Sequence, residues 1–206
     1  MNRWRTSRIW LAQLVGLAAL SGCSLSTTVP QDHYYRLPDP QPATVADAGL
    51  GRDTLAVAPF HTTGLYQERS ILYIDTQQPL EVNRYHYHHW IKSPVYLVQE
   101  HMLDYLRETG VAARVIRHEP GVDADSLING TIKRFERHTG PDRDEVRVTL
   151  ELSYTDPDSQ GASPWTREYS VIQPTPGRTI QDVISAFGAA LDEICNNFVR
   201  DISTRP

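Results

Sequence analysis

The strongest constraint on the fold lies in residues 145–155, where apolar and polar side chains alternate one by one. A period of two is typical of a β-strand, because successive side chains point to opposite faces of a sheet. The segment therefore predicts a strand with one face in the core and the other in water. The apolar face would consist of Val146, Val148, Leu150, Leu152 and Tyr154, and the polar face of Arg147, Thr149, Glu151 and Ser153.

Weaker patterns predict further strands. Residues 126–138 and 145–155 would form a long hairpin joined by the polar turn 139–144. The other predicted strands cover residues 54–60, 70–75, 81–89, 111–117 and 164–172. Within residues 81–89, strict alternation would point Val82, Arg84, His86 and His88 one way, and Asn83, Tyr85, Tyr87 and His89 the other.

Two segments show the helical period instead. Residues 93–110 place an apolar stripe on one side, with Pro94 suited to a first turn and Gly110 to a C-terminal stop. Residues 179–202 predict a second, longer helix, in which Thr179 and Asp182 have the spacing of a capping box. The stripes consist of Val95, Val98, Met102, Tyr105 and Leu106 in the first helix, and of Ile180, Val183, Ile184, Phe187, Leu191, Ile194, Phe198 and Ile202 in the second.

This order of elements predicts an α+β fold, because strands are interrupted by one helix in the middle and followed by one at the end. We expect a single domain with a mixed or antiparallel sheet and two main amphipathic helices packed on one face. The chain has enough residues for one such core.

The first 22 residues have the pattern of a targeting segment. Three arginines precede an apolar run over residues 9–20, which is too short to cross a bilayer core of about 30 Å as a helix. The segment resembles the signal peptide of bacterial lipoproteins, with a positive region made of Arg3, Arg5 and Arg8 and a cleavage and acylation box made of Leu20, Ser21, Gly22 and Cys23.

By that resemblance, residues 1–22 are removed, and Cys23 receives acyl chains such as palmitate on its thiol and on its new amino terminus. Several acyl chains on one residue hold a protein firmly at a membrane without spanning it. Ser24 stands where aspartate is the usual inner-membrane retention signal, so the resemblance implies the outer membrane, with the globular part in the periplasm. The alternative is a secreted protein cut at an ordinary site near Cys23.

Residues 24–53 are rich in Ser, Thr, Pro, Asp and Gly, which is typical of a tether, and only residues 33–37 resemble a strand. The sequence thus predicts a lipidated N-terminus and flexible tether over residues 23–53 and the domain over residues 54–206. If Cys23 carries lipid, Cys195 has no partner within the chain. Its place in the periodic second helix predicts a small buried hydrophobe.

The charge balance argues against nucleic acid as a partner. The chain has a formal net charge of −5, and removal of residues 1–22, which hold three arginines and no acidic residue, changes it to −8. Such a chain lacks the basic stripe that neutralises phosphates.

The sequence offers one candidate metal site, at His86, His88 and His89. Imidazole suits zinc or copper, and His86 and His88 would share one face of a strand. No carboxylate or cysteine lies nearby in the sequence with a recurrent ligand spacing. We therefore prefer a polar edge or interface strand with aromatic packing, and we assign no metal.

No catalytic motif stands out either. The sequence contains neither a G-x-S-x-G elbow nor a Gly-rich phosphate loop, so we assign no catalytic residue and no cofactor. A charged segment comprises Lys133, Arg134, Glu136, Arg137 and residues 142–145. A solvated hairpin tip is the preferred interpretation, and a docking tip for a partner protein is the alternative.

Four segments follow one another in a distinctive order. They are the box ending at Cys23, residues 34–38 (YYRLP), residues 55–60 (LAVAPF), and residues 85–90 with Tyr85 or Tyr87 and Trp90. Together they resemble the ABC-type transport auxiliary lipoproteins, the family of the PqiC-like outer-membrane lipoproteins, in which a tyrosine is typically followed by a tryptophan and then an amphipathic helix. Ile91 and Lys92 depart from the small residue and the acid that more often follow the tryptophan.

The resemblance implies a non-catalytic, membrane-anchored docking component. Its partners would be a mammalian-cell-entry-type substrate-binding protein and the permease and ATPase of an ABC transporter, in traffic of lipids or hydrophobic molecules between inner and outer membranes. Two other hypotheses stay open, a direct lipid carrier with its own apolar cavity and a metal-dependent envelope enzyme. Exposed strand edges also leave room for a homo-oligomer.

Overall fold

Eight strands and two α-helices follow one another in the computed structural model, which describes residues 30–43, 53–156 and 163–204. Asp32 onward forms one compact unit. The strands are β1 (His33–Tyr35), β2 (Thr54–Val57), β3 (Ser70–Asp75), β4 (Asn83–Trp90), β5 (Arg114–Arg117), β6 (Ser126–Thr139), β7 (Asp144–Thr155) and β8 (Trp165–Pro174). The helices are α1 (Pro94–Thr109) and α2 (Ile180–Ser203), and a short 3-10 helix covers Gly64–Gln67.

β6 is the centre of a mixed sheet. Along one edge it pairs antiparallel with β7, and β8 extends that side. Two strands share the other edge, because β2 pairs in parallel with residues 126–128 and β3 pairs in parallel with residues 137–139. β5 then adds to β2, β4 adds to β3, and β1 adds to β4. The predicted α+β fold with a mixed sheet is confirmed.

Both predicted helices are confirmed, and they pack against the sheet. α1 ends at Gly110, whose φ of 64° is the left-handed conformation that glycine adopts readily at a helix end. α2 begins behind the predicted capping box. The Thr179 hydroxyl accepts a hydrogen bond from the Asp182 amide, and the Asp182 carboxylate accepts one from the Thr179 amide.

The core lies between the helices and the sheet. The ring of Phe187 in α2 meets those of Trp90 in β4 and Phe135 in β6, at centroid distances of 5.4 and 4.4 Å. The predicted apolar stripe of α2 is buried along its length, except for the half-buried Ile180 at its start. The apolar face of β7 is buried as predicted, through Val146, Val148, Leu150, Leu152 and Tyr154.

Two turns lie together at one end of the sheet, which we call the turn end. Because β3 and β6 run parallel, the turn of residues 76–82 after β3 lies beside the turn of residues 140–143 after β6. Arg178, just before α2, donates hydrogen bonds to the backbone of this second turn, at 3.2 Å from the Gly140 carbonyl. The start of α2 therefore belongs to the turn end as well.

The alternation predicted for residues 81–89 is wrong between Arg84 and His89. The register of β3 against β4 shifts in this stretch, where β4 has more residues than the facing part of β3. Tyr85 and His88, which strict alternation puts on opposite faces, have ring centroids 5.6 Å apart. A spacing of two along this strand therefore does not imply a shared face, and the argument for pairing His86 with His88 on a metal fails.

Candidate docking site

Residues 32–43 cross the domain as a continuous segment, which we call the strap. β1 pairs in parallel with the last residues of β4, so that His33 lies opposite His88. Further along, Leu37 reaches the core and is 8% exposed. The expectation of a flexible tether over residues 23–53 therefore does not hold for the strap, which is ordered by partners far away in sequence.

Histidine and tyrosine rings join β1 to β4. His33 stacks on His88 with ring centroids 5.4 Å apart, and Tyr34 packs on His89 at 5.7 Å. The Tyr35 hydroxyl lies 2.8 Å from His88 Nδ1. Burial, and then the neighbouring His33 and His89 rings, hold the pKa of His88 below its ordinary value. A neutral His88 can accept the hydrogen bond of the Tyr35 hydroxyl at Nδ1.

The second half of the strap is fixed to both helices. The contacts among Gln41, Asp192 and His101 are called the latch below. The strap crosses α2 at Gly188, where a Cβ atom would collide with the Pro38 ring. Asp192 of α2 then lies between two partners: Oδ1 is 2.8 Å from Nε2 of His101 in α1, and Oδ2 accepts the Gln41 amide at 3.2 Å. The His101 side chain is only 2% exposed. The strap is thus held in place by Asp192, which lies 151 positions after Gln41 in the sequence.

A groove of about 330 Å³ opens between the strap and α1. Leu37 and Leu97 supply apolar lining, and Ile91, where β4 passes into α1, is 43% exposed at the groove. The charged lining consists of Arg36, Asp39, Lys92, Glu100 and Asp104. A small apolar patch with a charged surround is typical of protein interfaces.

Several charged side chains near the turn end are buried, so the predicted solvated hairpin tip is wrong for them. Arg137 and Asp144 form an ion pair with side chains 10% and 4% exposed, and Arg137 also donates to the Tyr85 hydroxyl at 2.5 Å. Such groups need satisfied partners once they leave water. Lys133, Arg134, Asp142 and Arg143 stay exposed, whereas Glu136, Arg137, Asp144 and Glu145 are buried.

The remaining candidates from the sequence do not form a reactive site. Cys195 is buried in α2 as predicted, and burial raises the pKa of its thiol, so that it stays protonated. Within residues 30–43, 53–156 and 163–204, no group of three or more His, Cys, Asp or Glu side chains is placed to hold a metal ion. No helix in this part of the chain is long and apolar enough to cross a membrane.

The predicted anchor lies outside the described residues, and so do its neighbours in the box: Leu20, Ser21, Gly22, Cys23 and Ser24. The strap and its latch are what sequence reasoning missed. The sequence signals inside the strap were the strand-like run 33–37 and the family segment 34–38, and neither shows that the strap is ordered by partners in β4 and α2.

A family model with the description ABC-type transport auxiliary lipoprotein component matches residues 35–199. The match begins inside the strap and ends in the last turns of α2, so it covers the latch, the groove and nearly the whole sheet. The chain belongs to this family. The resemblance drawn from the sequence is confirmed.

Two solved structures are similar to this chain at TM-scores of 0.66. Protein XCC0632 from Xanthomonas campestris, of family-model DUF330, is 19% identical, over 81% of this chain and 92% of that one. An uncharacterized protein is 13% identical, over 84% of this chain and 99% of that one. At these identities the likeness shows the fold alone. A search of the curated proteins found no match.

Family membership makes this chain a transport-associated lipoprotein, held at a membrane with its domain in the periplasm. The family is described as a component of transport systems rather than as an enzyme.

Proposed function

We propose that this protein is a non-catalytic docking component of an ABC-type transport system, anchored in the outer membrane by acyl chains on Cys23. Its partner would be a mammalian-cell-entry-type substrate-binding protein linked to the permease and ATPase of the inner membrane. The cargo would be lipids or other hydrophobic molecules that move between the two membranes. The observation that carries the proposal is the family match over residues 35–199.

The strap supports the anchoring half of the proposal. It is the described segment nearest to Cys23 in sequence, and it is tied to the sheet by β1 and to both helices through Gln41, Asp192 and His101. A force on the acyl anchor would therefore be transmitted through the strap to the core of the domain.

The groove supports the docking half. Ile91 and Tyr96, beside the groove and in the first turn of α1, are 43% and 53% exposed. Large exposed apolar side chains surrounded by charges are common at the contacts of protein partners. Exposed charges of both signs, such as Arg36 and Asp39, can fix the orientation of a partner and steer its approach.

A direct lipid carrier is the alternative function. An acyl chain would need an apolar cavity, because burying unpaired charge beside hydrocarbon is costly. Five charged side chains line the groove, which suits a protein surface better than an acyl chain.

Photo-crosslinking in the native host tests the proposal. A crosslinking amino acid replaces Ile91 or Tyr96 in the full-length lipoprotein, and the captured proteins are purified and identified by mass spectrometry. Ile172 on β8, which is 55% exposed, gives a matched control position. We expect a mammalian-cell-entry-type protein or an ABC permease at positions 91 and 96 but not at 172. Recovery of only the lipoprotein itself or of lipid would refute docking and favour the carrier.

A further inference from the structure

The turn between β3 and β4 presents an apolar side chain to the solvent. Leu80 is 99% exposed, more than any other large apolar side chain in the part of the chain that the structure describes. Val82, two residues on, is 41% exposed. Single exposed apolar residues are ordinary on protein surfaces, so the position of Leu80 matters more than its exposure.

The backbone of this turn is ordered by its own hydrogen bonds. The Gln78 amide donates to the Asp75 carbonyl at 2.8 Å, and the Glu81 amide donates to the Gln78 carbonyl at 3.0 Å. Pro79 occupies the second position of the second turn, where its fixed φ is favoured. Leu80 is therefore held at the tip of a hydrogen-bonded turn.

The N-terminal end of the strap points toward the turn end. β1 runs parallel to β4, so both strands start toward the turn end. The ten residues from Cys23 to His33 can span at most about 35 Å. The stretch of β4 from His89 back to Asn83 faces only Ser70 to Tyr73 of β3, so it covers about 10 Å of that length. An acyl anchor on Cys23 would therefore keep the turn end within about 25 Å of the membrane, and closer whenever the ten residues are less than fully extended.

Charged groups of both signs also lie at the turn end. Arg143, in the turn of residues 140–143, has a side chain 79% exposed, and Arg178 lies beside that turn. Guanidinium groups bind the phosphates of lipid headgroups well. Glu81 and Asp142 are exposed there too, so the apolar tip rather than net charge would supply most of the attraction.

We propose that Leu80 inserts into the periplasmic leaflet of the membrane that holds the acyl anchor, and that the domain contacts this bilayer through the turn end. The proposal rests on the acylation of Cys23. This contact sets the orientation of the domain. Ile91 lies at the opposite end of β4, so the groove faces the periplasm and a partner can reach it there.

Depth-dependent fluorescence quenching tests the contact. Leu80→Cys is labelled with the fluorophore NBD in the full-length lipidated protein, which is placed in vesicles of phosphatidylethanolamine and phosphatidylglycerol with or without brominated acyl chains. Val122→Cys is the control, because Val122 is 42% exposed and lies just before β6, at the end remote from the turns. The buried Cys195 takes up no label. We expect brominated lipid to reduce the emission severalfold at position 80 and hardly at all at position 122.

Three results would overturn the proposal. They are no quenching at position 80, equal quenching at both positions, or a change in the emission at position 80 that occurs only after a purified transporter partner is added. The last would show that the occupant is a protein. Mass spectrometry of the same sample reports the acyl chains on Cys23. A lipidated protein without quenching refutes the membrane contact alone, whereas a protein without acyl chains refutes the proposed anchor as well.

Discussion

The Asp192 carboxylate of α2 lies 2.8 Å from Nε2 of His101 in α1, and its other oxygen accepts the Gln41 amide of the strap. One side chain thus connects two helices to the segment that follows the predicted anchor. Because His101 is almost completely buried, water cannot readily compete for its hydrogen bond with Asp192.

Replacing Asp192 by alanine leaves His101 buried without its partner and frees the Gln41 amide. Hydrogen bonds to charged groups contribute about 1.5–3 kcal/mol, so we expect the free energy of unfolding to fall by about 2 kcal/mol. Hydrogen exchange of the strap amides should accelerate more than that of β7. Denaturant titration and exchange mass spectrometry measure both effects. Glu193→Ala, at the neighbouring exposed carboxylate, is the control, and equal losses in both variants would contradict the latch.

Gly188 and Pro38 allow a rescue experiment. Alanine favours a helix interior over glycine by about 1 kcal/mol, yet its Cβ atom at position 188 would collide with the Pro38 ring. We therefore expect Gly188→Ala to destabilise the protein and to displace the strap. Pro38→Ala removes the ring atoms in the way, so the double variant should regain stability relative to Gly188→Ala. Additive losses in this double-mutant cycle would show that the two residues do not interact.

Sequence periodicity predicted the buried face correctly where the segment's own apolar side chains determine which face is buried. The alternating residues of β7 and the stripe of α2 each carry enough apolar side chains to define one buried face. It failed for the strap, whose polar composition resembles a linker and whose order comes from Asp192, 151 residues after Gln41. No local pattern reports such a distant partner.

The charges of the β6–β7 hairpin and the histidines of β4 show the same limit. Arg137 and Asp144 are charged in sequence, and only the packing of other elements over them makes them a buried pair. In β4 the alternation failed because a register shift against β3 breaks the period of two between Arg84 and His89. Irregular pairing of this kind depends on both strands, and one sequence segment cannot reveal it.

His88 makes the attachment of β1 sensitive to pH. Its pKa is lower in the folded protein than the ordinary value of 6.5, so His88 binds the proton more readily in the unfolded state. The stability that neutral His88 contributes is present above pH 6.5 and is lost as the pH falls through the folded value. Protonation also removes the Nδ1 acceptor of the Tyr35 hydroxyl and adds charge beside His33.

We therefore expect the exchange of the β1 amides, corrected for intrinsic rates, to accelerate between pH 7.5 and pH 5.5. His88→Gln keeps an acceptor but cannot titrate, so this variant should show a weaker pH dependence. His89, whose Nε2 lies 3.7 Å from an Asp32 carboxylate oxygen, is present in both proteins. Identical profiles for the two proteins would assign the pH dependence to another group.

The Arg137–Asp144 pair should be far more costly to break than an exposed pair on the same hairpin. Asp144→Ala leaves a guanidinium 90% buried without its carboxylate, which typically costs about 3–5 kcal/mol. Lys133 and Glu151 lie 3.3 Å apart with side chains 42% and 40% exposed, and Glu151→Ala should cost about 0–1 kcal/mol. Denaturant titration of both variants compares the two costs directly. Similar losses would mean that the buried pair is not an important source of stability.

The residue after the predicted acylation site tests the sorting of the lipoprotein. Ser24→Asp keeps the Cys23 thiol, so the variant should be acylated and membrane-bound, but the resemblance to bacterial lipoproteins predicts that it stays in the inner membrane. Cys23→Ser is the control, because without the thiol no diacylglycerol can be attached and the protein should leave the membrane fraction. Density-gradient separation of the two membranes, followed by immunoblotting, measures both. A Ser24→Asp variant that still co-sediments with the outer membrane would show that Ser24 does not direct the protein there, and a membrane-bound Cys23→Ser variant would refute the anchor.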